Sequence, residues 1–322
     1  MPDVVMFEST GGADVLKLSS VDMPVPGPGQ LLLRQTTVGL NFIDTYHRTG
    51  LYPVSLPSGI GLEAAGVVEA VGAGVKVAIG TRVGYCWGPR GAYASHRVVA
   101  ADRVVALPDG VSDEAAAAGL LKGCTAEFLI ERCARIQPGQ WTLVQAAAGG
   151  VGLLLVQWLK HVGATVIAVA GSAEKVAMAV AHGADHGIVE GADQAQRVRD
   201  LTGGRGVDVV FDGVGKATFE ASLDSLVRRG LHISYGNASG AVGPVDFAIL
   251  ARKGSLFVTR PTLFDYYTTR DEIEIHAGRV LDLIARGVIK VNIDQRYPLR
   301  DAARAHHDLE ARRTTGSTVL VP

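Results

Sequence analysis

The stretch from Trp141 to Ser172, WTLVQAAAGGVGLLLVQWLKHVGATVIAVAGS, restricts the fold of this chain more than any other. It opens on a short apolar run, Thr142 to Val144, turns through Ala146–Gly152, and continues as Leu153 to His161, whose apolar positions suit a buried helix. A second β-branched run, Thr165 to Val169, follows. Strand, glycine turn, helix and strand in that order predict a βαβ unit. Its first turn fits a dinucleotide fingerprint with Ala147 in the first glycine position and Gly149 and Gly152 in the other two. Glycine lets backbone approach a pyrophosphate closely, and the unpaired N–H groups at a helix start attract an anion. An ordinary strand-to-helix turn is the competing reading. The spacing of the flanking elements favours cofactor binding.

The end of the second strand bears on which dinucleotide is bound. An NAD-binding unit usually has an Asp or Glu there to accept the ribose 2′-hydroxyl. This chain has Gly171-Ser172-Ala173-Glu174-Lys175, with no carboxylate at the strand end itself. A 2′-phosphate then meets no repulsion at that point and has the Ser172 hydroxyl and the Lys175 ammonium as partners, so NADP(H) is expected. The alternative roles are an N-cap for Ser172 and a solvated surface charge for Lys175. Glu174 suits this expectation only if it faces solvent in the first turn of the next helix.

A chain of 322 residues exceeds one ordinary core, which predicts two domains. With 48% hydrophobic residues and 40 glycines it suits buried parallel strands joined by tight turns. The 31 basic and 32 acidic residues nearly cancel, and no basic run marks a nucleic-acid surface. The start, MPDVVMFEST, has no basic segment leading into an apolar core. No apolar stretch reaches the roughly 18 residues of a membrane span, and a cytoplasmic protein is expected. Cys86, Cys124 and Cys133 are odd in number and share no ligand spacing, so neither a disulfide framework nor a bound metal is expected. The histidines, including His47, His96, His306 and His307, likewise lack ligand spacing.

Short runs at Leu31–Arg34, Gly66–Val71 and Val98–Val105, divided by Pro/Gly clusters, predict a barrel-like β domain at the N-terminus. Ser112-Asp113-Glu114 predicts a capped start for a helix over Ala115–Leu121, and another follows near Thr125–Ala134. After the fingerprint come helices at Glu174–His182, Gln194–Leu201 and Phe219–Arg228. The strands are near His186–Val189, Val207–Phe211, Leu231–Tyr235 and Ser255–Thr259. Six strands alternating with helices make an α/β, doubly wound parallel sheet. The tail carries helical stretches near Asp271–Arg286 and Asp301–Arg312 and a final strand at Ser317–Val321.

Several blocks together resemble one family. Asn41-Phe42-Ile43-Asp44-Thr45-Tyr46 is followed by Arg48, Gly50, Leu51-Tyr52-Pro53 and Gly61-Leu62-Glu63-Ala64-Ala65-Gly66. With them stand Leu121-Lys122-Gly123-Cys124-Thr125-Ala126, the Ala146–Gly152 turn, Tyr235–Gly240 and Thr259-Arg260-Pro261. The set is similar to the quinone oxidoreductases, zinc-free members of the medium-chain dehydrogenase/reductase superfamily, over essentially the whole chain. The resemblance implies a Rossmann domain, residues 122–263, inserted in a GroES-like catalytic domain made of residues 1–121 and 264–322. Where zinc-dependent relatives carry a His ligand this chain has Leu62, and their Cys ligand near 41–44 and their four-cysteine structural site are absent.

By that resemblance NADPH is the cofactor. Phe42, Ile43, Asp44, Thr45 and Tyr46 line its nicotinamide side, with Asn41 and Tyr52 beside them. Thr125 and Phe128 also border the cofactor, and Gly149, Gly150 and Val151 meet the pyrophosphate. Gly171, Ser172 and Lys175 surround the adenosine phosphate. Tyr235, Gly236, Asn237, Ser239, Val258, Thr259 and Arg260 border the nicotinamide ribose and amide, Gly213 also meets the cofactor, and Arg312 closes over it. Two positions depart from the pattern: Glu190 replaces a tyrosine that packs near the adenine, and Gly213 a serine found in some relatives. Asn41, Tyr46 and Tyr52 are candidates to orient and polarise the acceptor; the competing roles are a turn asparagine and buried tyrosines. Asp44 is equally a helix cap or a partner for Arg48, and Lys122, in an expected turn, a donor to backbone carbonyls or to a ligand.

The implied activity is hydride transfer from NADPH to a quinone. A reductase of conjugated enones or enals, and a non-catalytic NADPH-binding protein such as the family's crystallins, are the alternatives. A homodimer joined partly through the Ser255–Thr259 strand is expected, because that strand should lie at the sheet edge and carries Leu256, Phe257 and Val258; an edge covered by the C-terminal tail is the alternative.

Overall fold

The β-branched run beginning at Thr165 has no solvent face: Val166, Ile167, Ala168 and Val169 are at most 1% exposed. A strand buried on both faces needs neighbours at both edges and helices above and below, and this chain supplies them. The computed structural model describes all 322 residues. They divide into two compact units, Met1–Cys124 with Tyr267–Pro322, and Thr125–Tyr266.

The first unit begins with β1 (Asp3–Phe7), β2 (Lys17–Ser20) and β3 (Gln30–Leu40), then α1 (Phe42–Thr49). Next come β4 (Ser58–Gly59), β5 (Glu63–Val71), β6 (Arg82–Tyr85), β7 (His96–Ala100) and β8 (Val105–Ala106). Helix α2 (Asp113–Glu127) carries the chain into the second unit. There β9 (Trp141–Val144), α3 (Gly150–Val162), β10 (Thr165–Ala170), α4 (Ala173–Ala181) and β11 (His186–Val189) form one half of the sheet. The other half is α5 (Gln194–Leu201), β12 (Val207–Asp212), α6 (Phe219–Asp224), β13 (Leu226–Ser234), α7 (Ala248–Arg252) and β14 (Phe257–Thr259). The return to the first unit adds α8 (Arg270–Glu272), α9 (Gly278–Ala285), β15 (Ile293–Pro298), α10 (Ala302–Glu310) and β16 (Ser317–Val321).

In the second unit the six strands run parallel in the order β11-β10-β9-β12-β13-β14. Counted from β9 this is 3-2-1-4-5-6, the order of dinucleotide-binding sheets, and the strand order reverses between β9 and β12. The doubly wound sheet read from the sequence is therefore present. Its core joins Leu143, Ile167, Val169, Val210, Leu223 and Leu226. Helix α3 is apolar almost all round, with Leu153, Leu155, Val156, Trp158 and Leu159 buried, which suits a helix packed within the unit.

In the first unit a seven-stranded sheet runs β15-β16-β3-β5-β6-β8, with β7 also paired to β3, and a second sheet runs β2-β1-β4. The C-terminal strand is integral to it: β16 pairs antiparallel with β3, Thr318 opposite Leu40. Tyr297, Leu299, Ala305 and Leu320 share one core with Leu31, Leu33, Val38 and Tyr93. Fully burying a side chain such as Leu31 contributes about 1.5–3 kcal/mol, so both chain ends hold this unit together.

Several elements differ from the sequence reading. The run Val98–Val105 is broken by a 3-10 turn at Ala101–Arg103 into β7 and β8. The helix expected near Thr125–Ala134 is the continuation of α2, widened into a π-helix at Phe128–Cys133. The helix expected to reach Arg228 stops at Asp224, because Leu226 already pairs with Val207 in the sheet. The stretch 271–286 is interrupted by π turns at Ile273–Ala277, and the last strand of the six-stranded sheet is shorter than Ser255–Thr259. Helix α1 falls in the Asn41–Tyr46 block, whose Phe, Ile, Thr and Tyr are modest helix formers. The Asp44 carboxylate accepts the Asn41 N–H at 2.9 Å, and Gly50, at φ 82°, ends the helix.

Candidate active site

The glycine turn between β9 and α3 is shaped by close approach. A Cβ on Gly152 would stand 2.4 Å from the Ala146 carbonyl oxygen and 2.7 Å from the Ala147 Cα, so a side chain there would drive the helix off the strand. Ala146 takes the left-handed conformation at φ 51°, a cost on the order of 1 kcal/mol for a residue with a Cβ. Gly149 is the N-cap and the first turn of α3 has no acidic residue. The N–H groups of Gly150, Val151 and Gly152 precede the first intrahelical bond, Leu153 N–H to Gly149 O at 2.9 Å. This cradle at the carboxyl end of β9, next to the point where the strand order reverses, fits a dinucleotide pyrophosphate.

The neighbouring strand ends build the rest of that crevice. Asp212, at the end of β12, is fully buried and accepts from Val214 N–H (2.8 Å), Gly215 N–H (3.0 Å), the Thr218 hydroxyl (2.8 Å) and the Ser222 hydroxyl (3.0 Å). Burial pushes its pKa up, but the bond from His232, 3.4 Å away, and those from the backbone hold it below the usual carboxylate range. An ionised Asp212 therefore folds the Gly213–Gly215 loop, a role the sequence reading did not assign. The signal was available, since Asp next to Gly at a strand end is a turn former. The loop is also tied to the segment after β13. Tyr235 N–H donates to Asp212 O and Ser239 N–H to Val214 O, both at 2.8 Å. The Ser239 hydroxyl bridges Val214 O and Ala217 N–H. A Cβ on Gly236 would stand 2.3 Å from the Gly213 carbonyl oxygen, and one on Gly213 2.9 Å from the Tyr235 ring. The serine that the resemblance offers at Gly213 would need that ring to move. Arg260, just past β14, donates to Ser234 O at 2.8 Å. Val258 and Thr259 lie in that last strand.

At the end of β10 Ser172 takes the N-cap role weighed for it. The Ser172 hydroxyl accepts the Lys175 N–H at 3.3 Å as an N-cap and donates to the Glu174 carboxylate at 3.0 Å. Glu174 is exposed, and its carboxylate reaches back to the Ser172 hydroxyl. The Glu190 carboxylate stands 3.7 Å from where a Cβ on Gly171 would be, so two acidic groups border this strand end. Phe128 is only 1% exposed and stacks on Tyr266 at 4.5 Å between ring centroids, a core position that the sequence did not reveal. Thr125 is half-buried in α2.

In the first unit the Asn41–Tyr46 block forms the start of α1. Phe42 and Ile43 are half-buried. Phe42 meets Tyr46 at 5.6 Å and Tyr46 meets Tyr52 edge-on at 5.2 Å, so three of the candidate residues make one aromatic group. Thr45 turns its hydroxyl back to Phe42 O at 2.7 Å. Asn41 is held from behind: its side-chain amide donates to Glu63 Oε2 at 2.8 Å. Glu63, fully buried, also has Lys122 Nζ at 3.6 Å. Burial raises the Glu63 pKa, opposed by the Lys122 ammonium and the Asn41 amide. Lys122 donates to Leu40 O at 3.3 Å; it sits in α2, not in a turn. The Asp44 carboxylate is buried and caps α1; of the two structural roles weighed for it, orienting Arg48 is not the one found, because Arg48 pairs with Glu310. Arg312 lies exposed just beyond α10, at φ 57°.

The His, Cys, Asp and Glu side chains form no group of three or more able to hold a metal ion. All three cysteines are free.

Comparison with known proteins agrees with this geometry. Residues 27–109 match the alcohol dehydrogenase GroES-like domain, and residues 150–274 match the family described as zinc-binding dehydrogenase. The chain is 48% identical to a quinone oxidoreductase of Pseudomonas aeruginosa over 99% of both chains, and 42% identical to a 2-haloacrylate reductase of a Burkholderia species over 98% of both. The structure of Escherichia coli quinone oxidoreductase complexed with NADPH superposes with a TM-score of 0.97 at 46% identity, covering 99% of this chain and 100% of that one. With its two-unit architecture, its switch-point glycine cradle and its Asn41–Tyr46 block, the chain belongs to the quinone oxidoreductase family of the medium-chain dehydrogenases/reductases.

Proposed function

We propose that this protein is an NADPH-dependent quinone reductase that works without zinc. The glycine cradle at the switch point of a 3-2-1-4-5-6 sheet carries the reading, and the NADPH complex of the E. coli relative supports the choice of cofactor. When bound, NADPH supplies the hydride. The α3 N-terminus with Gly149, Gly150 and Val151 binds the pyrophosphate. Gly171, Ser172 and Lys175 face the adenosine phosphate. Gly213, Tyr235, Gly236, Asn237, Ser239, Val258, Thr259 and Arg260 hold the nicotinamide end, with Arg312 as a further contact. Residues 122–263 serve as the cofactor domain, and residues 1–121 with 264–322 as the substrate domain.

Asn41, Tyr46 and Tyr52 orient the quinone and polarise the oxygen on which negative charge develops. One Asn41 amide hydrogen is committed to Glu63, which leaves the other to donate. The Phe42, Tyr46 and Tyr52 rings exclude water from the reacting face. Hydride and one proton convert a quinone to a hydroquinone, and solvent can supply the proton, so no dedicated acid is required. In the assembled protein β14 pairs with its own copy in a homodimer, since Phe257 and Val258 are 61% and 39% exposed on an edge strand. Three free cysteines suit a reducing compartment, and we place the protein in the cytoplasm.

A second reading, reduction of an activated carbon–carbon double bond, draws support from the 2-haloacrylate reductase relative. NADPH oxidation followed against benzoquinones, naphthoquinones, enones and 2-haloacrylates separates the two. The quinone reading expects kcat/KM at least tenfold higher for quinones; a preference for acrylates or enones would replace it.

A further inference from the structure

Behind the Asn41–Tyr46 block lies a row of buried polar groups that the chemistry above does not use. Asp44, Arg48, Tyr93 and His306 are each at most 1% exposed. Tyr93 Oη lies 3.0 Å from Asp44 Oδ2 and 3.0 Å from His306 Nε2; His306 Nδ1 lies 3.2 Å from Arg48 Nη1. Arg48 in turn holds Glu310 through two nitrogens, at 2.9 and 2.6 Å, and Gly11 O at 3.1 Å.

Elementary donor accounting sets the direction of every bond in this row. A guanidinium only donates, so the His306 Nδ1 facing it carries no hydrogen. A neutral imidazole then has its hydrogen on Nε2, which donates to the Tyr93 oxygen. The Tyr93 hydroxyl has one hydrogen, which is left for Asp44 Oδ2. Burial and the Arg48 charge push the His306 pKa down to about 3, in keeping with a neutral ring. The row is not a proton wire, because Arg48 at its outer end does not give up a proton near neutral pH.

We propose that Tyr93 and His306 are positioning residues: through this one-way row they hold the Asp44 carboxylate on the Asn41 N–H and so set the start of α1, with Asn41 and Tyr46 on it. The importance for turnover rests on the reading of Asn41 and Tyr46 as acceptor-orienting groups. Asp44 Oδ2 receives two hydrogen bonds, and Oδ1 has no partner. Losing the Tyr93 bond leaves a single bond to steer a buried carboxylate. The charged groups that face Asp44 are Lys122 on α2, which favours its ionised form, and Glu63 on β5, which opposes it; Tyr93, beside β7, donates to it and itself faces His306 on α10. Burial sets the Asp44 pKa at about 7, so removing the Tyr93 donor moves its titration to higher pH.

The experiment uses the full chain with Tyr93→Phe, which keeps the ring, and His306→Leu, which removes both ring nitrogens. Nitrogen NMR of the His306 ring and of the Asn41 amide is read without substrate. Naphthoquinone turnover is measured from pH 5.5 to 9. The proposal expects a bare Nδ1 and a protonated Nε2 on His306, and a shifted Asn41 amide in both variants. It also expects kcat to fall about tenfold at pH 7.5, with the acid limb moved upward by about one pH unit and NADPH affinity within twofold of wild type. A hydrogen on Nδ1, an unmoved Asn41 amide, or unchanged kcat and pH limb in folded Tyr93→Phe overturns it. Should wild type reduce no quinone, the quinone reading fails by itself, and the His306 tautomer with the Asn41 amide still decides whether the row sets the helix start.

Discussion

Asp44 shows how much one buried group can weigh. With its folded pKa raised from 3.8 to about 7, mainly by burial, the native state binds a proton that the unfolded chain has lost across that interval. Stability from this group is therefore fully present below pH 4 and is lost as pH rises toward 7. His306 acts with the opposite sign: its pKa, lowered to about 3, favours the fold as pH rises toward 6.5. In Asp44→Asn the His306 contribution remains and that of Asp44 vanishes. The unfolding free energy of the variant, measured by urea at pH 5 and pH 8, should gain on wild type at the higher pH by about 2–4 kcal/mol. A difference that is flat with pH would mean Asp44 titrates normally. A second residue-scale expectation concerns Glu190, beside Gly171. Removing a carboxylate near a 2′-phosphate should raise affinity, so Glu190→Gln should bind NADPH about two- to fivefold more tightly in fluorescence titration at low salt, with NADH little changed. Equal gains for both cofactors would show that Glu190 does not sense the phosphate. The sequence located these acids, but which way Glu174 points depends on the Ser172 cap.

At the scale of elements, the glycine turn and its helix form the most constrained piece. Gly152→Val would place branched carbons where backbone already stands 2.4 Å away. Overpacking of this kind typically costs about 1–3 kcal/mol and shifts the helix start, so NADPH affinity should drop more than tenfold in titration while the variant still unfolds cooperatively. Unchanged affinity would separate the turn from the cofactor. This element was legible from sequence because strand, turn and helix periods all agree. Helix α1 was not: its residues are indifferent helix formers, and it is held by Asp44 on the Asn41 N–H, with Tyr93 and Glu63 behind, residues 49 and 22 positions away. The π-helical widening at Phe128–Cys133 also has no local sequence signal, and it takes Phe128 into a core stack with Tyr266.

For the whole molecule, the edge of the six-stranded sheet predicts self-association. Sedimentation should show a dimer, and Phe257→Lys, at a side chain 61% exposed, should shift it toward monomer by at least tenfold in dissociation constant. A wild-type monomer would remove this interface. The division into two units was readable from chain length and turn spacing, while the joining of both chain ends in one core rests on β16 pairing with β3, which no local pattern marks. Together these elements should let a quinone accept hydride from NADPH without zinc. Its most direct test is the NADPH oxidation rate with a naphthoquinone, measured on protein stripped by a chelator and checked for metal by elemental analysis. One NADPH should be consumed per quinone reduced, at the untreated rate. Loss of that activity, restored by zinc alone, would contradict it.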